Sequence, residues 1–197
     1  METLEKELGP SLILLTYHVH YWDYLGWKDS FSDSQYTQLQ TAYAKIFGQD
    51  NIYTPEMVIQ GEVGFNGADL RQARQEIESR TDASQPKMGL QLKPGPEQSV
   101  VLNVNDIVVP AAGSLVAVIY ENAEPVAVHR GENKGATMSG RFAVRKIVPL
   151  KPNAGSARFT LRRESFWDPQ KLGVAVLIRD EKLAIRGAAA APWPPSS

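Results

Sequence analysis

Two histidines and an aspartate, His18, His20 and Asp23, fall within six residues of one another. Residues two apart on a strand face the same side, so both imidazoles would point together and Asp23 would approach from the following turn. Such a set can hold zinc or another divalent ion with one position left open. The same residues also suit a packed corner with hydrogen-bonded imidazoles, because Tyr17, Tyr21, Trp22, Tyr24 and Trp27 crowd the stretch. Cysteine is absent. That excludes disulfides, thiolate metal ligands, redox relays and a cysteine nucleophile.

A second group with chemical potential is Gly131, Glu132 and Asn133, followed by Gly135. Glycine lets a backbone approach a ligand closely and Glu and Asn supply directional polar groups, so this is a binding loop or a hairpin turn that needs positive φ. Glu132 and Asp23 would form a general acid and base if the fold brought them together. Arg141, Arg145, Arg158, Arg162 and Arg163 read as a solvated sheet face or as partners for acidic residues. No interleaved aromatic platform accompanies them, so nucleic acid is not the expected partner.

The elements that must position these groups follow from the apolar pattern. Glu2–Leu8 has helical composition and stops at Gly9-Pro10, as the tail of a helix does. Leu12–Val19 is nearly continuous in apolar character and reads as a strand buried on both faces, as in a parallel sheet. Ser32 with Gln35 three residues on is a capping-box spacing, and Tyr36, Leu39, Tyr43, Ile46 and Phe47 make a helical stripe that Gly48 closes. A short strand at Met57–Ile59, a turn at Gln60-Gly61, Val63–Phe65 and a helix capped by Asn66 complete an order of strand, helix, strand, strand, helix. Prolines and glycines from Thr81 to Gln98 read as a linker. Beyond it a series of short strands from Ser99 to Arg186 predicts an antiparallel sandwich or barrel-like domain. The expected division is therefore 1–80, a linker over 81–98, a β domain over 99–187, and a disordered tail over 188–197.

The 197 residues carry a formal net charge of −1, which gives no global field toward nucleic acid or an anionic membrane. No apolar run approaches bilayer length, and the acidic N-terminus lacks the basic and apolar regions of a signal peptide.

Three segments resemble the DUF1223 family, a group of largely exported bacterial and plant proteins of unknown function with a thioredoxin-like N-terminal domain. They are Tyr17–Asp29, Tyr53–Gly61 and Arg130–Gly135. The resemblance implies an α+β protein: an incomplete thioredoxin-like α/β domain followed by an antiparallel β-sandwich. It also implies that the first strand and the C-x-x-C helix of the family are missing here, so that thiol–disulfide chemistry is lost. Loss of that strand would expose sheet edges, with direct pairing of the remaining strands or homodimerisation through the edge as the consequence. Thr54-Pro55 resembles the cis-proline of thioredoxin-like folds, where the backbone is open to an extended peptide. His20 stands where the family pattern has Asp. These implications make the chain a non-redox binding protein without cofactor, taking a peptide or protein partner near Tyr17, His18, Trp22, Asp23, Thr54 and Pro55. A truncated thiol–disulfide oxidoreductase and a metal-dependent hydrolase are the alternatives. The compartment is not encoded in these features.

Overall fold

The computed structural model describes residues 2–9, 12–25, 28–81, 88–127, 137–138, 140–151 and 155–195. Gly131, Glu132 and Asn133, expected as a binding loop, lie outside these residues.

The architecture is mixed α+β, with an α/β N-terminal region followed by antiparallel sheets that form a sandwich. β5 (Ser114–Glu121) and β10 (Leu172–Arg179) pair antiparallel along their whole length, Leu172 opposite Glu121 and Arg179 opposite Ser114. β8 (Ala143–Leu150) flanks β5 and β11 (Ile185–Pro192) flanks β10, giving a sheet ordered β11-β10-β5-β8. The facing sheet is β3 (Gly89–Pro94), β4 (Ser99–Ile107) and β9 (Gly155–Arg162), ordered β3-β4-β9. A short pair, β6 (Val126–Ala127) and β7 (Thr137–Met138), stands apart.

Side chains on a strand alternate between faces, and here that alternation feeds two cores. Leu115, Ala117 and Ile119 of β5, with Leu172, Val174, Val176 and Ile178 of β10, meet Val100, Leu102, Val104 and Leu161 of the facing sheet. The intervening residues, Val116, Val118, Ala175 and Leu177, point the other way and pack against Tyr36 of the N-terminal region. β9 shows the expected single buried face, with Leu161 buried while Arg158, Thr160 and Arg162 are exposed.

The N-terminal region is the layer over that second face. It comprises α1 (Glu2–Leu8), α2 (Ser34–Phe47), a hairpin of β1 (Glu56–Ile59) and β2 (Val63–Asn66), and α3 (Leu70–Arg80). Asp33, rather than Ser32, caps α2 by accepting from the Gln35 N–H, and Gly48 ends it at φ 67°. The buried ridge of α2 is Tyr36, Gln40 and Ala44, while Ile46 of the expected stripe is 40% exposed. Leu4, Phe65 and Ala73 form a smaller core beneath the hairpin and α3, where Asp69 rather than Asn66 caps the helix.

Three expectations need correction. Leu12–Val19 is not a full strand of a parallel sheet: it makes isolated bridges, Thr16 with Ala143 and Val19 with Asp33. Leu15 and Tyr17 join the core between α2 and the sheet, while Ile13 is 36% exposed. The segment pairs with the sandwich rather than with β1, since Thr16 N–H donates to Phe142 O at 2.8 Å and Val144 N–H to Thr16 O at 2.9 Å. Residues 89–94, inside the expected linker, form β3 because Leu90 and Leu92 add to the sandwich core. Residues 188–192, expected to be disordered, are five of the eight residues of β11, and Trp193 beyond them is buried. The backbone of this alanine run pairs with β10 from the Gly173–Pro192 pair to the Ile178–Gly187 pair, and Trp193, buried in the sandwich core, anchors its end.

The hairpin turn at Gln60-Gly61 docks on the β10–β11 turn. Ile185 N–H donates to Gln60 O at 2.7 Å, and the Tyr43 hydroxyl donates to Leu183 O at 3.2 Å. Around them Arg186 joins Glu62 to Asp180, each at 2.7 Å. Gly61 is buried at φ +69°, and a Cβ there would stand 2.3 Å from Leu183 O. Gly61→Ala is therefore expected to cost about 1–3 kcal/mol through backbone strain and loss of this docking. Tyr36→Phe, which removes the hydroxyl donated to Val144 O at 3.2 Å, should cost about 1 kcal/mol. Urea midpoints of the two variants measure both effects.

Candidate functional site

The path of the chain after Val19 decides which polar groups meet. Residues His20–Leu25 wind into a 3₁₀ turn, so the two-residue repeat of a strand ends between the histidines. His18 turns inward and is buried, whereas His20 is exposed. The His20 N–H donates to the Thr37 hydroxyl at 3.2 Å, and its Nδ1 lies 2.8 Å from the same oxygen. Asp23 accepts from the Ser32 hydroxyl at 2.6 Å and from the Asp29 N–H at 3.3 Å. The side chains of the three residues that spacing put forward as ligands are thus bonded to different groups, His18 to the Asp29 carboxylate, His20 to Thr37 and Asp23 to Ser32 and the Asp29 N–H, and not to one another. Among the described residues no group of three His, Cys, Asp or Glu side chains is placed to hold a metal ion.

The partner of His18 is Asp29, with Nδ1 and Oδ2 2.5 Å apart. The other carboxylate oxygen of Asp29 accepts the Phe31 N–H at 2.9 Å. Burial pushes the Asp29 carboxyl up, but the hydrogen bonds from His18 and Phe31, with the charges of His18 and Arg145, outweigh it, so the group sits below the ordinary carboxylate value. The imidazole lies tilted against the Phe31 ring, centroids 5.3 Å apart, and the Arg145 guanidinium lies 3.7 Å from the centroid of that ring. Arg145 also donates to Glu121 at 2.7 Å and to Ser30 O at 3.2 Å. A His–Asp pair does proton-transfer chemistry through the other ring nitrogen, which must face a substrate. Here Nε2 of His18 is buried and has no hydrogen-bond partner. The pair is therefore a clasp that holds the 28–33 loop to the chain before it, and Arg145 ties that loop to the sandwich.

Tyr17 is also inside. Its ring meets Tyr36 edge-on, centroids 5.5 Å apart, and burial holds its phenol well above its ordinary value. The surface part of the site is Trp22 with Thr54 and Pro55. Trp22 is 39% exposed, Thr54 and Pro55 are exposed, and the Thr54–Pro55 peptide bond is cis. The Trp22 indole N–H donates to the Thr54 hydroxyl at 3.2 Å. Behind this patch the Tyr21 hydroxyl donates to Gln40 at 3.2 Å, and the Gln40 amide donates to Tyr53 O at 2.7 Å and Glu56 at 2.9 Å. Sequence reasoning put forward Trp22, Thr54 and Pro55 but missed Asp29, Gln40 and Glu56. Gln40 did leave a trace, as a polar residue one helical turn from Tyr36 on a buried ridge. Asp29 left none, because its partner is chosen by how the 3₁₀ turn folds back.

Comparison with known proteins gives a family and a fold. Residues 1–179 match the family model described as a protein of unknown function, DUF1223. The crystal structure of a structural-genomics target from Agrobacterium tumefaciens superposes with a TM-score of 0.71 at 23% identity, covering 100% of this chain and 87% of that one. That likeness concerns the fold alone. An endonuclease/exonuclease/phosphatase structure from Beutenbergia cavernae matches with a TM-score of 0.29 at 13% identity, over 52% of this chain and 22% of that one, and carries no argument. No curated protein matches the chain.

Because the Asp29 carboxyl is depressed in the folded state, its stabilisation is fully present above the ordinary value of 3.8 and is lost as pH falls through the lower folded value. Asp29→Asn should lower the urea midpoint at about pH 6, with the gap to the parent chain narrowing toward about pH 2. A gap that stays constant over that range would assign the effect to packing instead.

Proposed function

Since the chain belongs to the DUF1223 family, whose description assigns no activity, we propose that it is a non-redox binding protein that takes an extended segment of a partner protein along Thr54 and Trp22. The observation that carries this reading is the state of the Thr54 backbone. Thr54 is exposed, and its N–H and C=O take no hydrogen bond among the described residues. Thr54 stands in a bend just before β1, and an unpaired donor and acceptor there is what a bound peptide uses for main-chain hydrogen bonds, with a neighbouring side chain supplying specificity. Trp22 is that side chain. Its indole is fixed by the bond to Thr54 while much of its surface stays open.

Several features bear on the alternatives. Thiol–disulfide exchange starts from a thiolate, and the chain has no cysteine. A metal-dependent hydrolase would need His18, His20 and Asp23 together, and their side chains are bonded to other groups rather than gathered around one point. No helix among the described residues is long and apolar enough to cross a membrane. Among the described residues β1 pairs only with β2, so a second copy of the chain would compete with a peptide for the same region.

The test is binding of an unfolded polypeptide, reduced and alkylated α-lactalbumin, followed by calorimetry and by chemical shifts of the Trp22 indole. Binding in the micromolar range that moves the Trp22 signal, and a loss of about tenfold or more for Trp22→Ala, are expected for a central aromatic anchor. A Trp22→Ala chain that binds equally well removes the reading. Light scattering at the same concentrations shows whether the ligand is instead a second copy.

A further inference from the structure

Tyr21 and Trp22 form an aromatic pair at the surface, ring centroids 5.4 Å apart with planes at 53°. Their electronic setting is unusual because of what lies behind Tyr21. The Tyr21 hydroxyl donates to Gln40 Oε1, and the Gln40 Nε2–H donates to Glu56 Oε2. Both bonds run in one direction, so each polarises the next, and the chain ends on a carboxylate. Burial and the nearby Glu56 charge keep the Tyr21 phenol above its ordinary value, so it remains a donor.

Among the described residues Glu56 has no compensating cation. No ion pair to it exists among the described residues, and its second oxygen, Oε1, is buried without any hydrogen-bond partner. That oxygen sits 2.9 Å from where a Cβ on Gly64 would be, in a space bounded by the Phe47 ring. Glu56 is half-buried, with Oε1 shut from solvent, so its charge is only partly screened and its field is felt at the surface beside it. The exposed aromatic surface beside this relay is that of Trp22, with the half-buried Tyr21 ring against it. Electron-rich rings joined through Gln40 to a carboxylate attract a cation to their faces and give nothing there to an anion.

Taking the peptide-binding reading as its basis, we infer that Tyr21 and Trp22 form a cation subsite, and that the partner's anchoring residue is a lysine or, with its flat guanidinium, an arginine. Glu56 acts there as a positioning residue through Gln40 and through its field, without touching the ligand. The occupant is thus an extended, basic segment of another protein, its backbone on Thr54 and its cationic side chain on the aromatic pair.

The experiment uses the full chain and an array of peptides, each on the order of ten residues, that tile the unfolded α-lactalbumin sequence. Each basic residue is also replaced by a neutral isostere, arginine by citrulline and lysine by norleucine. Binders are expected to share a basic residue and to lose about fivefold in affinity on neutralisation. In Glu56→Gln the same neutralisation should matter less, while added salt weakens the basic peptides of the parent chain more than their isosteres. Peptides that bind equally well with citrulline or norleucine overturn the cation subsite and leave the peptide reading standing. An array with no binding segment overturns both. The peptide comparison within the parent chain needs no variant to fold.

Discussion

Everything in this molecule answers to the pair of strands β5 and β10, which are apolar on both faces. One face is shared with the three-stranded sheet and the other must be covered by something else. An antiparallel sheet commonly leaves one side to water, and these strands cannot, because Val116, Val118, Ala175 and Leu177 would then be exposed together. The N-terminal region is the cover. Tyr36 at 1% exposure is its principal contact, and Leu15 and Tyr17 extend the contact along the sheet.

That cover is fastened at its margins by polar groups. At one end Arg145 lies between the Phe31 ring, the Ser30 carbonyl and the buried Glu121, and Arg141 pairs with Glu5. At the other the Gly61 turn sits against Leu183, with Arg186 joining Glu62 to Asp180. Removing one member of a desolvated pair such as Arg145 and Glu121 strands the other charge, so each pair registers the two layers more than it adds net stability. The buried clasp of His18 and Asp29 belongs to the same seam. Its isolation from solvent is the reason it reads as structure, although a histidine with a carboxylate is the combination that catalysis uses.

With that seam closed, one group of polar residues of the N-terminal layer gathers behind Trp22 and Thr54. The same helix that covers the sheet with Tyr36 presents Gln40 one turn later, where it gathers Tyr21, Tyr53 and Glu56. Burial of one ridge and support of the surface patch are thus two uses of one side of α2. A change that shifts α2 on the sheet would move the relay under the patch as well.

The sequence by itself determined the elements governed by local pattern: α2 closed at Gly48, the hairpin of β1 and β2 with its turn at Gln60-Gly61, α3, and the single wet face of β9. It also determined, through the absence of cysteine, which chemistry the chain does not perform. Trp22, Thr54 and Pro55 were legible as a group only through the family resemblance. Tertiary structure decided the rest. Leu12–Val19 and β5 carry similar apolar runs, yet only β5 lies in a sheet buried on both faces, since a continuous apolar run records burial and says nothing of which surface supplies it. β11 was illegible because an alanine-rich strand takes its stability from pairing with β10 and from Trp193, not from its own propensity. His18 and His20 parted because a 3₁₀ turn starts between them, and Asp29 and Glu56 acquired their settings from contacts distant in sequence. Periodicity reports which residues are buried, and the packing of layers selects what they are buried against.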